Sequence, residues 1–207
     1  FAQGGFVFGG KFPARIINNF GGEVNLDNTS FQNNFVNVKD QEYDAIIWIE
    51  PAIGLFATTT INHSVFDSGY LAIKNQSRDT TRDPDFTSGQ NNYLSIANSS
   101  FANFTNKDGP IASRYGLPLM ENNSFEDNIS DTVLIEQMNI KKDIVLNSDV
   151  EYIASIINVD IGATLRISPG TIINLLSRGE IIVNGSLQAL GTEDNKIIIK
   201  PAKPEEK

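Results

Sequence analysis

Three aspartates, Asp79, Asp83 and Asp85, follow one another closely and are interleaved with Arg78 and Arg82. A hard cation such as Ca²⁺ takes roughly six to eight oxygens, and a loop offering these carboxylates plus Thr and Asn carbonyls can supply part of that shell. The same five residues have a plainer reading. The two arginines can neutralise the three acids and leave a solvated, internally paired loop that binds nothing, and the spacing matches neither an EF-hand nor a Ca²⁺-binding nonapeptide repeat. Asp79, Asp83 and Asp85 are therefore candidate Ca²⁺ ligands, and the loop with Arg78 and Arg82 is a candidate ligand-binding surface. No other cofactor is indicated. With no cysteine and a single histidine, the chain lacks the residues for a disulfide framework, a thiol nucleophile or a His-rich zinc site.

The one histidine, His63, invites a reading as a general base, but its position answers otherwise. It lies within Ile61-Asn-His-Ser-Val-Phe66, one of four copies of a short pattern. The others are Leu26-Asp-Asn-Thr-Ser-Phe31, Ile96-Ala-Asn-Ser-Ser-Phe101 and Met120-Glu-Asn-Asn-Ser-Phe125. In the slot of His63 they carry Asn28, Asn98 and Asn122, so His63 reads as one rung of a polar ladder. The phenylalanines Phe31, Phe66, Phe101 and Phe125 recur at intervals of 35, 35 and 24 residues. A period of roughly 20 to 50 residues marks architectures in which each unit buries its apolar face against its neighbours.

Each slot of the copy has a physical task. The aliphatic residue and the phenylalanine can both point inward if a strand, a tight bend and a second strand follow one another, since side chains alternate faces along a strand. Asn, Ser and Thr suit the bend because they hydrogen-bond their own backbone, and Asn tolerates left-handed geometry. If such units stack in parallel at about 4.8 Å, like residues superpose as ladders. The expectation is an interior column of Phe31, Phe66, Phe101 and Phe125 beside a polar ladder of Asn28, His63, Asn98 and Asn122.

Past residue 130 the pattern changes. Val159-Asp-Ile-Gly-Ala-Thr-Leu-Arg-Ile-Ser-Pro-Gly-Thr-Ile-Ile173 is followed by Ile181-Ile-Val-Asn-Gly-Ser-Leu-Gln-Ala-Leu-Gly-Thr192. The triplets at 165–167, 181–183 and 197–199 recur every 16 residues, which predicts a shorter coil. Short apolar runs broken by Gly and Pro predict strands almost everywhere, and Ala45 to Glu50 reads as a strand buried on both faces. Trp48 within it reads as packing rather than as a sugar platform, and only Glu136 to Lys142 is compatible with a short helix.

On these motifs the chain resembles the right-handed parallel β-helix repeat proteins of the pectin-lyase-like fold, of the secreted or cell-surface bacterial type. The copied N-x-x-F units carry one part of the resemblance and V-x-x-G-A-T-L-x-I-x-P-G-T the other. It implies an all-β fold, a right-handed parallel β-helix (β-solenoid) forming one elongated domain. Residues 1–130 are expected to form Asn/Phe-repeat coils, 131–200 to continue or cap them, and 201–207 to be a charged linker or tail. The family contains lyases, hydrolases, phage tailspikes and non-enzymatic surface proteins. The N-T-D, D-D, G-H-G and R-I-K contexts of its hydrolases are missing here, as is the R-x-P-x-x-R of its lyases, so no residue is assigned a catalytic role.

Charge narrows the partners. With 25 acidic against 16 basic residues the net charge is −9, which disfavours nucleic acid and anionic membrane surfaces. No apolar run is long enough to span a membrane. A chain that opens on Phe1 and closes on Pro201-Ala-Lys-Pro-Glu-Glu-Lys207 reads as excised from a longer polypeptide. Eight N-x-[ST] sequons read as a by-product of Asn and Ser at coil corners. The expected function is a non-enzymatic structural or adhesive module, extracellular or on a cell surface. It would hold loops 75–92 and 105–116 for a glycan or a surface protein and adjoin further domains of the same polypeptide. A polysaccharide lyase or glycoside hydrolase using the Asp79 loop is the alternative, and a trimeric tailspike-like fibre a third.

Overall fold

A run that is apolar at every position, Ala45–Ile49, is buried at every position, and this stretch lies in the sheet that runs the length of the molecule. A computed structural model of the protein describes residues 7–8, 16–32, 45–50, 57–76, 92–114 and 118–202. The five residues of the Arg78–Asp85 loop lie outside them. The described strands are β1 (Val7–Phe8), β2 (Ile17–Asn19), β3 (Gly22–Asp27), β4 (Ser30–Gln32), β5 (Ala45–Ile49), β6 (Ala57–Asn62), β7 (Val65–Gly69), β8 (Leu71–Gln76), β9 (Asn92–Ala97) and β10 (Ser100–Phe104). They continue as β11 (Ile111–Arg114), β12 (Leu119–Glu121), β13 (Ser124–Glu126), β14 (Thr132–Ile140), β15 (Ile144–Leu146), β16 (Glu151–Val159), β17 (Thr164–Ile167), β18 (Ile172–Val183), β19 (Ser186–Ala189) and β20 (Ile198–Pro201).

The protein is all-β, and its described strands pair in parallel, forming four open sheets. Sheet I is ordered β1-β4-β7-β10-β13, sheet II β2-β5-β8-β11-β14-β16-β18-β20, sheet III β12-β9-β6-β3 and sheet IV β15-β17-β19. From β1 to β14 the chain visits sheets I, II and III in rotation. From β14 onward it alternates between II and IV. Sheet II is thus common to both halves, whereas sheets I and III end at β13 and β12 and only sheet IV faces sheet II beyond them.

Register follows the repeat residue by residue. Leu26 pairs with Ile61, Ile61 with Ile96 and Ile96 with Met120. Phe31 pairs with Phe66, Phe66 with Phe101 and Phe101 with Phe125. One apolar core runs from Phe31 through Ile61, Ile96 and Ile135 to Leu165 and Ile173. Burying each such side chain contributes about 1.5–3 kcal/mol. Slipping any strand by one residue would turn its apolar set outward, which is why the alternation fixes the register.

Two expectations from the second half are corrected. Glu136 to Ile140 is strand, part of β14, whose buried positions alternate too regularly for a helix. The triplets spaced every 16 residues do not stack on one another. Leu165 pairs with Leu187, Ile157 with Ile181 and Ile173 with Ile199, separations of 22, 24 and 26 residues. Leu165 lies in sheet IV and Ile181 in sheet II, while Ile199 shares sheet II with Ile181 but pairs with the first part of β18 rather than the second. Similar strands on different sheets imitate a repeat.

Candidate functional site

The four-copy segment is a frame, and its geometry shows what each residue does. The rings of Phe31, Phe66, Phe101 and Phe125 stack with centroids 4.8, 4.9 and 5.3 Å apart and planes within 16° of parallel. That spacing is the strand spacing itself, as in-register parallel pairing requires. Phe31, Phe66 and Phe101 are fully buried, whereas Phe125 is half-buried.

Asn28, His63, Asn98 and Asn122 all adopt left-handed backbone, with φ of 50°, 47°, 50° and 52°. Asn tolerates this region best among residues with a Cβ, which explains its recurrence. Each of the first three donates its backbone N–H to the carbonyl just before the equivalent corner of the next copy, Asn62, Ala97 and Glu121. His63 is exposed, and its Nδ1 lies 3.2 Å from Asp27 Oδ1. It occupies a corner with one carboxylate neighbour rather than a base poised over a pocket. A second left-handed corner follows Phe66, Phe101 and Phe125, at Ser68, Asn103 and Asp127.

Beside the first corner runs a buried hydroxyl ladder. Thr29 N–H donates to Ser64 Oγ at 3.3 Å, Ser64 N–H to Ser99 Oγ at 3.1 Å and Ser99 N–H to Asn123 Oδ1 at 3.0 Å. Near the ends of sheets I and III, asparagine amides reach strand carbonyls, two on the next-to-last strands β9 and β10 and one on the last strand β12. Asn123 Nδ2 donates to Ile96 O, Asn128 Nδ2 to Phe101 O and Asn147 Nδ2 to Met120 O.

Among the described residues, two grooves open on this frame. The first, about 620 Å³, lies at the step where sheets I and III stop, and Phe125, Ser130, Asp131, Asp149, Glu151 and Gly170 are among the residues that line it. Its carboxylates are held by amides: Asn128 donates to Asp131 at 2.7 Å, Asn147 to Asp149 at 3.1 Å and Asn174 to Glu151 at 3.2 Å. Among the described residues no basic side chain lines it. An apolar ring with carboxylate and hydroxyl acceptors around it suits a neutral or basic polyol and repels a polyuronate. Sequence reading missed this groove because its acids, Asp131, Asp149 and Glu151, share no motif. The signal was available in the end of the Phe copies at Phe125.

The second groove, about 440 Å³, lies on the outer face of sheet II and includes Lys107, Asp108, Arg114, Leu134, Glu136 and Gln137 in its lining. It contains residues of the expected 105–116 excursion, whose positions 115–117 lie outside the described residues. The turn is firmly held. Asn106 N–H donates to Tyr70 O at 3.0 Å, Asp108 N–H to Asn106 Oδ1 at 2.9 Å and Thr132 Oγ1 to Asp108 O at 2.9 Å. Gly109 has φ 100°, and a Cβ there would sit 1.9 Å from Thr132 O, so only glycine fits. Arg114 Nε lies 3.7 Å from Glu136 Oε2 across the groove.

Other polar groups serve the frame. Trp48 is buried in a small apolar cluster with Ala45, Leu71 and Ala112, with Lys74 Nζ 5.3 Å from its ring centroid. Arg166 binds Asp143 at 3.0 Å and Gln188 at 3.1 Å on the exposed face of sheet IV. That guanidinium, with Thr164, holds the Asp143 carboxyl below its usual range. Among the described residues no three His, Cys, Asp or Glu side chains come together as a metal-binding group, and no helix is long and apolar enough to cross a membrane. The candidate Ca²⁺ ligands Asp79, Asp83 and Asp85, with Arg78 and Arg82, lie outside those residues. The described residues thus define an all-β protein of parallel sheets, with two surface grooves among them. Compared with family models, curated proteins and solved structures, the chain matches none.

Proposed function

We propose that the chain is a right-handed parallel β-helix module of a secreted or cell-surface protein, related to the pectin-lyase-like repeat family and acting by display rather than catalysis. The rotation of the chain through parallel sheets supports the helical path, and right-handed crossovers are the overwhelming rule for parallel strands. The observation that carries the functional reading is the 105–114 turn. Backbone hydrogen bonds and Gly109 fix it rigidly beside a mixed-charge groove. A rigid scaffold presenting polar loops is the arrangement of binding modules. The partner is a glycan or a surface protein, with further domains of the same polypeptide alongside.

A glycan array with the purified chain, repeated with Arg114→Ala and Glu136→Gln, tests this. Binding that falls at least ~10-fold in both variants, with unchanged circular dichroism, is the expected result. Release of reducing or unsaturated ends from a polyuronate panel with Ca²⁺, lost in Asp83→Ala, would overturn it in favour of an enzyme.

A further inference from the structure

The column of stacked phenylalanines has an open last rung at the step groove. Phe125 stacks on Phe101 with centroids 5.3 Å apart and planes 16° from parallel, and its strand, β13, is the outermost described strand of sheet I. No described ring continues the column beyond it. Phe125 is accordingly half-buried where Phe31, Phe66 and Phe101 are fully buried, and it lines the groove of about 620 Å³ together with Val150 and Ile172. Around this apolar floor stand Asp131, Asp149 and Glu151, with no lysine or arginine among the described lining residues. Each carboxylate receives a side-chain amide, from Asn128, Asn147 and Asn174 in turn. A neutral amide fixes a carboxylate in place and leaves its charge whole, and a carboxylate with about four acceptor sites keeps others for a ligand.

We infer that the step groove is a second binding site, apart from the 105–114 groove, and that it takes a protonated amino sugar whose ring continues the phenylalanine column. Three properties of that ligand match the site. The C–H face of a sugar ring is apolar and meets the negative face of an aromatic ring. Its ammonium is attracted both by the three carboxylates and by that same aromatic face. Its hydroxyls find acceptors on the carboxylates, in a volume within the range of about 300–1,000 Å³ typical of small-molecule sites. Other ligands use only part of the site. A uronic acid brings further negative charge, a neutral sugar leaves the three carboxylates without a counter-charge, and a linear polyamine leaves the ring of Phe125 uncovered. The inference is independent of what the 105–114 groove binds.

The test titrates the purified chain with a glucosamine tetramer in a calorimeter at about 0.15 M salt, where exposed charges more than ~8 Å apart are largely screened. A Kd of about 1 mM or tighter is expected, with the N-acetylated tetramer and spermine, a linear amine of the same charge, each at least ~10-fold weaker. Phe125→Leu keeps an apolar side chain but removes the ring face. The double variant Asp131→Asn/Glu151→Gln keeps an acceptor at both positions but removes two charges. Each should weaken the tetramer at least ~10-fold with unchanged circular dichroism. Absence of binding at about 10 mM tetramer would overturn the inference. So would equal binding of the acetylated tetramer or of spermine, or undiminished binding by either folded variant.

Discussion

The three-sheet turns and the two-sheet turns share sheet II and little else. The first half places rings in its interior, Phe31, Phe66, Phe101 and Phe104 being fully buried; all 13 phenylalanines of the sequence lie at or before Phe125, and Tyr152 is the sole aromatic after residue 130. Where three sheets pack on one core, large flat side chains stacked at strand spacing fill the space between them. Two sheets facing each other lie about 10 Å apart, a gap that Ile, Leu and Val close without rings. The loss of a wall at the step is thus matched by a loss of aromatics, and Phe125 is where both changes occur.

The largest expected effect tests that contrast within one column. Phe66→Ala removes a ring stacked on both faces and should destabilise by about 3–5 kcal/mol, the usual cost for a buried aromatic. Phe125, half-buried at the column's end, should cost about half as much. Equal losses in urea titrations of the two variants would mean that the step does not interrupt the packing. Next comes Gly109→Ala, where the added methyl meets the Thr132 carbonyl and the backbone is already left-handed. A loss of about 2–3 kcal/mol is expected. An unchanged melting temperature would show that the turn is not held as described.

A smaller effect separates the ladders of the first half from each other. Ser64 Oγ accepts from Thr29 N–H and donates to Asn62 O at 2.9 Å while buried. Ser64→Ala should therefore cost about 1–3 kcal/mol by stranding a buried donor. His63→Asn, at the exposed left-handed corner, should be neutral or stabilising by less than about 1 kcal/mol. If His63→Asn proved the more damaging of the two, His63 would have a task beyond its corner.

How far all this was legible follows from where like residues recur. Four copies with an aliphatic, a left-handed corner and a phenylalanine at fixed offsets specify both register and interior, because parallel stacking brings like onto like. The second half recurs in aliphatics alone, and Ile in sheet II is indistinguishable by sequence from Leu in sheet IV. Hence the 16-residue spacing was mistaken for a turn. The grooves were less legible still. The step groove exists because two sheets end there, and its acids, Asp131, Asp149 and Glu151, come from separate stretches that share no motif. Lys107, Asp108 and Arg114 were visible as an excursion, but their neighbour Glu136 sat in a stretch that looked helical.

A modest effect tests the two-sheet half through its one ring. Tyr152 stands between Val133 and Ile173 in the column of sheet II. Burial, followed by the nearby Asp149 charge, pushes its phenol well above the ordinary tyrosine value, although the contact with Asn147 acts the other way. Its hydroxyl donates to Asn147 Oδ1 at 3.0 Å, so Tyr152→Phe should cost about 1 kcal/mol near neutral pH. Above about pH 10 the unfolded chain loses the Tyr152 proton while the folded chain keeps it, so stability falls as pH rises. The phenylalanine variant lacks this loss, though the other tyrosines still titrate in both proteins. The deficit of Tyr152→Phe should accordingly shrink between about pH 8 and about pH 11, and then reverse. A deficit that stays constant across that range would mean that water reaches the phenol, and that two sheets without rings do not make a dry interior.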